Sequence, residues 1–143
     1  MKTRSKALLN VQINGTSDAA LPDFTPFAKT ILAEKGVQAG SFTFTLVDED
    51  EIMRINQAYL NRDYITDIIS FNLAEDEEDP IADIYICLDQ AQDNANHYQK
   101  SLESELKLLI IHGILHTLGY EDYSPEDRAN MEAEQDRLLA LHP

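Results

Sequence analysis

The chain has one cysteine, Cys87, no long apolar run and few basic residues. A single cysteine cannot form an internal disulfide. No hydrophobic stretch approaches the ~20 residues that a membrane span needs. Lys2, Arg4 and Lys6 are followed by Ala-Leu-Leu-Asn-Val-Gln-Ile, which is too short and too polar for a signal peptide. Together these features lead us to expect a cytoplasmic protein. Eleven Lys and Arg face 26 Asp and Glu, for a net charge of -15. Residues 1–40 carry five Lys/Arg against three Asp/Glu, whereas residues 41–143 carry six against 23. Such a balance repels phosphate backbones in bulk, so nucleic-acid binding would need a local basic patch. Otherwise the charge serves solubility. There is no internal repeat, low-complexity linker or domain boundary.

Against these absences stand 43% hydrophobic and 26% charged residues in 143, enough for one domain with a real core. Ala7–Ile13 reads as a strand, with Asn14-Gly15 as a turn. Phe24, Phe27, Ala28, Ile31 and Leu32 mark the apolar face of a helix that starts near Asp23 and is closed by Gly36. Ser41–Val47 alternates at period two and predicts a strand. Asp48 with Glu51 resembles a capping box for a helix whose Ile52, Ile55 and Tyr59 face inward. Thr66–Asn72 reads as a short strand, Glu75–Pro80 as an acidic loop, and Ile81–Leu88 as another strand with Ile84, Ile86 and Leu88 on one face. Helices follow over Asp89–His97, over Ser101–Leu118, and from Ser124-Pro125 onward, the last with Met131 and Leu138 on its apolar side. The expected fold is α+β: a single compact domain over residues 1–143, with one mixed sheet of about four strands packed with helices. Strand pairing is not readable from this order.

One stretch is better explained by chemistry than by packing: His112-Gly-Ile-Leu-His116-Thr-Leu-Gly119-Tyr-Glu-Asp122, beginning on the helix of the C-terminal half. Residues i and i+4 share a helix face, ~6 Å of rise apart, so both imidazoles can reach one metal ion. Gly119 can stop the helix in a left-handed conformation, and the returning chain can bring in Asp122. The geometry is that of a three-ligand site with one open position. A zinc protease of this spacing carries a glutamate directly after its first histidine as general base. Gly113 stands there instead, which weakens a protease reading. Gly113 also costs ~1 kcal/mol in a helix interior relative to alanine, one explanation being close approach of another backbone or of a ligand. The alternative for the histidines is a pair of half-buried core residues. His97 and His142 read as surface residues.

His112-Gly-x-Leu-His116-x-x-Gly119-Tyr120 resembles the signature of the YbeY endoribonucleases, metal-dependent ribosomal RNA maturation factors. Asn56, Tyr59 and Asp63 with Thr66-Asp67-Ile-Ile-Ser70-Phe71 are similar to that family's N-x-x-Y-R-x-x-D-x-P-T-D-V-L-S-F, and Ala82-Asp83-Ile84-Tyr85-Ile86 to its G-D-I-x-I. The blocks occur in the family's order, over roughly residues 40–140.

The resemblance implies a single-strand-specific endoribonuclease with one divalent transition metal ion, zinc first. The ion would sit on His112, His116 and Asp122, with His112 and His116 as the catalytic pair. It implies ribosomal RNA, the small ribosomal subunit and its assembly proteins as partners, with no membrane and no DNA. Thr66, Asp67, Ser70, Asp83 and Arg62 become candidates for substrate binding or for support of the ligands, Asp67 by orienting a ligand histidine and Asp83 likewise or by closing a turn. Three departures stand out. Asp122, with Glu121 as a rival, replaces the family's third histidine; Leu60 replaces an arginine expected to hold phosphate; and Ile65 replaces a proline. On a continuing helix Arg62 would point ~200° away from position 60, so it can substitute only if the helix has ended by Asn61. A non-catalytic ribosome-assembly factor with a structural metal and a metallohydrolase of another substrate are the competing readings.

Overall fold

The computed structural model describes residues 9–15, 21–74 and 79–143. Its elements, in order, are β1 (Leu9–Asn14), α1 (Thr25–Glu34), β2 (Gly40–Val47), α2 (Glu49–Leu60), β3 (Ile68–Asn72), β4 (Ile81–Cys87), α3 (Leu88–His97), α4 (Leu102–Thr117) and α5 (Pro125–Leu141). The sheet order is β1-β2-β4-β3. β1 and β4 run parallel to β2, and β3 runs antiparallel to β4. The expected α+β domain with a four-stranded mixed sheet is the fold observed. Ala7, Leu8 and residues 75–78 of the acidic loop lie outside the described residues. None of the described helices is long and apolar enough to cross a membrane.

The pleat sorts the side chains to two faces. Phe42, Phe44 and Leu46 of β2 lie in register with Ala82, Ile84 and Ile86 of β4. All six are buried in one cluster with Ala28, Ile31 and Leu32 of α1 and much of α4. The opposite face is covered by α2 through a smaller cluster of Ile52, Ile55, Ile69 and Cys87. Burial pushes the Cys87 thiol up, which leaves it an unreactive core group.

Local signals set the boundaries. Asp48 caps α2 by accepting from the Glu51 amide at 2.9 Å, and Ser124 caps α5 by accepting from Asp127 at 3.1 Å. α1 begins at Thr25, near Asp23 as expected, and the Asp23 carboxylate accepts from the Thr25 amide at 3.0 Å. Two expectations need correction. Leu88 opens α3 and does not extend the β4 face. Tyr59 is 73% exposed. It lies in the last turn of α2, beyond the covering Ile52 and Ile55, and its ring meets Phe71 edge-on at 5.8 Å.

α4 is apolar nearly all round because it lies between the sheet and the other helices. Gly113 faces the sheet. A Cβ there would stand 3.0 Å from Ile84 Cδ1, 3.1 Å from Ile84 Cγ2 and 3.3 Å from Ile68 Cδ1. The close approach is thus by isoleucine side chains of the sheet, and neither a backbone nor a ligand is needed to explain it. Gly113→Ala should gain ~1 kcal/mol of helix propensity and lose about 1–3 kcal/mol to overpacking, because the branched Ile84 cannot swing away. Urea titration is expected to give a net loss on the order of 1 kcal/mol.

The turn after α4 is fixed at both ends. The Gly119 amide donates to His116 and the Tyr120 amide to Leu115, a helix stop with Gly119 at φ 103°. Lys35, just past the end of α1, then donates to the Tyr120 hydroxyl at 2.8 Å and pairs with Glu134 of α5, which Arg137 also grips. Hydrogen bonds from Arg137 and Lys35 lower the Glu134 pKa to about 2, from an ordinary 4.5. Its contribution is therefore complete above the unfolded pKa and lost as pH falls toward 2. Glu134→Gln should cost on the order of 1–2 kcal/mol at pH 7, allowing for the solvent around Arg137. Denaturation series should show that gap closing between about pH 5 and pH 2.

Candidate metal centre and its cleft

His112 and His116 are presented by the last turns of α4, His112 half-buried and His116 exposed. They open onto a cleft of about 550 Å³ whose other walls include Leu60, Arg62, Thr66, Asp67, Ser70, Asp122 and Tyr123. A second cleft of about 530 Å³ shares Asp67, His112 and Asp122 with the first and continues along Asn94, Tyr98, Lys100, Arg128 and Gln135.

The His112 ring is held. Its Nδ1 lies 2.8 Å from Oε1 of Gln135, a buried residue of α5. Paired with a carbonyl oxygen, Nδ1 carries the proton and donates it, leaving the Nε2 lone pair for another partner. Fixing the distal nitrogen in this way is how proteins orient a metal-binding imidazole. Asp67 does not do this job; it accepts from Asn94 Nδ2 at 3.1 Å. The same amide reaches Glu105 at 3.3 Å, and Lys100 pairs with Glu105 at 3.3 Å. Asp67 is thus a wall of the cleft tied to α3 and, through Asn94, to α4.

The loop after α2 satisfies the condition set for Arg62. α2 ends at Leu60, and Asn61 takes left-handed angles of φ 51° and ψ 41°, which asparagine tolerates. The chain reverses there, and Arg62 lines the cleft with both histidines. Asn56 fastens the loop: its backbone oxygen accepts from the Arg62 amide at 3.1 Å, and its buried side chain donates to Tyr64 O at 2.7 Å. Thr66 and Ser70 also line the cleft. Thr66 precedes β3, which starts at Ile68, and the pleat turns Ser70 to the same face as Ile68. Asp83 is elsewhere. It alternates with Ile84, which packs under α4, so it projects from the other face, where it accepts from the Tyr85 hydroxyl at 2.8 Å. It neither supports a cleft histidine nor closes a turn.

Asp122 borders both clefts, whereas Glu121 lines a separate depression beside Asp127 and Asn130. Arg128 donates to the Asp122 carbonyl at 3.2 Å and ties this loop to α5. The donor types suit a divalent transition ion: two imidazoles one helical turn apart, one with its Nδ1 engaged, and a carboxylate on the same cleft. Among the described residues no three His, Cys, Asp or Glu side chains, His112, His116 and Asp122 included, stand close enough together to hold an ion. The third donor would come from the exposed Asp122 loop.

Gln135 and Asn56 are the contributors that sequence reasoning did not single out as site residues. Gln135 left no signal, being one more polar residue on a largely polar helix. Asn56 stood in a motif, but its clamp on the Arg62 loop depends on where α2 stops.

Comparison with known proteins agrees with this architecture. The family model described as "Endoribonuclease YbeY" matches residues 12–142. An Endoribonuclease YbeY of Staphylococcus saprophyticus is 41% identical over 110 residues, covering 71% of this chain and 72% of the relative. One of Phocaeicola vulgatus is 35% identical over 131 residues, covering 88% and 94%. The solution structure of TM1509 from Thermotoga maritima superimposes with a TM-score of 0.63 at 29% identity, over 90% of this chain and 86% of that one. With nearly its whole length matched by the family model, and with the histidine helix facing the Arg62 loop across one cleft, the chain belongs to the YbeY endoribonuclease family.

Proposed function

We propose that the chain is a metal-dependent endoribonuclease that cuts single-stranded ribosomal RNA during maturation and quality control of the small ribosomal subunit. It would work in the cytoplasm alongside assembly proteins. The observation that carries this reading is the single cleft that joins His112, His116 and Asp122 to Arg62. His112 and His116 would hold the ion, zinc first, with Asp122 as third donor. A divalent ion there supplies Lewis acidity toward a phosphoryl oxygen and makes water a better nucleophile near neutral pH.

The chain's own groups do the rest. Gln135 keeps the His112 proton on Nδ1 and the ring in one orientation. The Arg62 guanidinium pairs with non-bridging phosphate oxygens in forked geometry, replacing the arginine that Leu60 displaces. The Thr66 and Ser70 hydroxyls donate to phosphate or to water. Hydrolysis adds the oxygen of water to phosphorus and releases a ribose oxygen. Arg62 in the cleft weighs against a non-catalytic factor. Gly113, packed on the sheet where a protease carries its base, weighs against peptide hydrolysis.

Wild type and His116→Ala, purified side by side, should differ in bound metal. RNA cleavage should fall on the order of 100-fold in the variant and on chelation of the wild type. Equal metal content in the two proteins would remove the ligand assignment. Cleavage that ignores both chelator and Asp122→Ala would point to a contaminating nuclease. Gln135→Met removes the acceptor while keeping the shape, so calorimetric metal affinity should drop about 10–100-fold with little loss of fold. Gln135→Glu, which still accepts, should retain most of the affinity.

A further inference from the structure

β3 is the last strand of the sheet and pairs with β4 alone. In an antiparallel pair, the backbone groups of successive residues point alternately toward the partner strand and away from it. The Cys87 amide donates to the Asp67 carbonyl at 2.8 Å and the Leu73 amide to the Ile81 carbonyl at 2.7 Å, one at each end of the β3–β4 register. The odd-numbered residues of β3 therefore bond to β4. The N–H and C=O groups of Ile68, Ser70 and Asn72 point outward, and among the described residues no backbone group meets them. Open edges are normally blunted by charge, by proline or by a bulge. The segment Ile68-Ile-Ser-Phe-Asn72 has no charge and no proline, and its register with β4 is unbroken.

The surroundings select what can pair there. Ile68 and Ser70 border the cleft on one face of β3. The two adjoining clefts carry Asp67, Asp122, Glu132 and Asp136 against Arg62 and Arg128, while Lys100 and Glu105 are paired with each other. Among the described residues no ion pair engages Glu132 or Asp136. The other face is apolar: Phe71 meets the exposed Tyr59 ring, and Leu73, just beyond the strand, is 55% exposed. A second copy of the chain brings the same net charge of -15 and is repelled. A cationic chain is attracted.

We infer that the open edge of β3 takes up an extended segment of a partner protein as a fifth strand, a segment in which Lys or Arg alternates with apolar residues. Only a polypeptide backbone offers N–H and C=O groups at the spacing of the edge, and its alternate side chains go to opposite faces. The basic ones face the carboxylates of the clefts, and the apolar ones face Phe71 and Tyr59. This docking goes beyond the ribonuclease reading and stands whether or not the cleft cuts RNA.

The probe is a fluorescein-labelled, end-capped peptide of about six residues that alternates lysine with valine. Its binding to the metal-free protein is read by anisotropy. One derivative is N-methylated on its lysines and another on its valines. In an added strand one of these sets of N–H groups points at β3 and the other at water. One derivative should therefore bind on the order of tenfold more weakly and the other nearly as the parent does, and which one fails gives the direction of the strand. Non-specific attraction of a basic peptide to an acidic protein treats the two alike. Equal effects of the two methylations, or no binding of the parent peptide, would overturn the inference. Ser70→Pro removes an outward N–H that β4 does not use, at a place where an edge strand tolerates proline. It should also weaken binding about tenfold, whereas Ser70→Ala should bind like wild type. The two methylated peptides are read on wild type, so the test does not hang on how the proline variant folds. A wild-type dimer whose Ser70 and Asn72 amides are protected from hydrogen exchange would assign the edge to a second copy and remove the partner segment.

Discussion

Helix α4 can lie close against the sheet because position 113 has no side chain, and the site depends on that contact. Ile84 and Ile68 occupy the space where a Cβ would project. The contact fixes the height of α4 above β3 and β4. It therefore fixes how far His112 and His116 stand from Ser70 and from the Arg62 loop, all of which border one cleft. The glycine that disqualifies the motif as a protease is, in packing terms, what lets the motif's helix sit where it does.

Around that contact the fold uses long-range polar clamps to hold segments with little apolar anchoring. Gln135 of α5 fixes the His112 ring, and Asn56 of α2 ties down the loop bearing Arg62. Arg128 of α5 secures the Asp122 loop through its carbonyl. Each clamp comes from a regular helix and reaches an irregular segment or a functional side chain. Rigid elements thereby impose geometry on chemistry that must face water.

The sequence made the local features legible and left the contacts between distant segments hidden. Caps at Asp48 and Ser124, the alternation in β2, and the helix stop at Gly119 depend on neighbours within a few residues, and each is where the pattern put it. The pairing of β2 with β4, and the antiparallel β3 outside it, depends on crossovers that no local pattern records. Asp83 was misplaced because a motif gives its position along a strand and not which face of the sheet the cleft lies on. Tyr59 kept the helical period of Ile52 and Ile55 but ran past the surface they cover. Arg62 was decidable only once α2 was seen to stop at Leu60. Gln135 was invisible because its partner is 23 residues away and nothing about a helical glutamine marks it.

X-ray absorption spectroscopy of the metal-loaded protein, compared with His112→Ala, tests the central claim most directly. Two imidazole nitrogens and a carboxylate oxygen around the ion in wild type, with one imidazole lost in the variant, is the expected result. An ion with no imidazole scattering, or a coordination shell unchanged in the variant, would contradict the account.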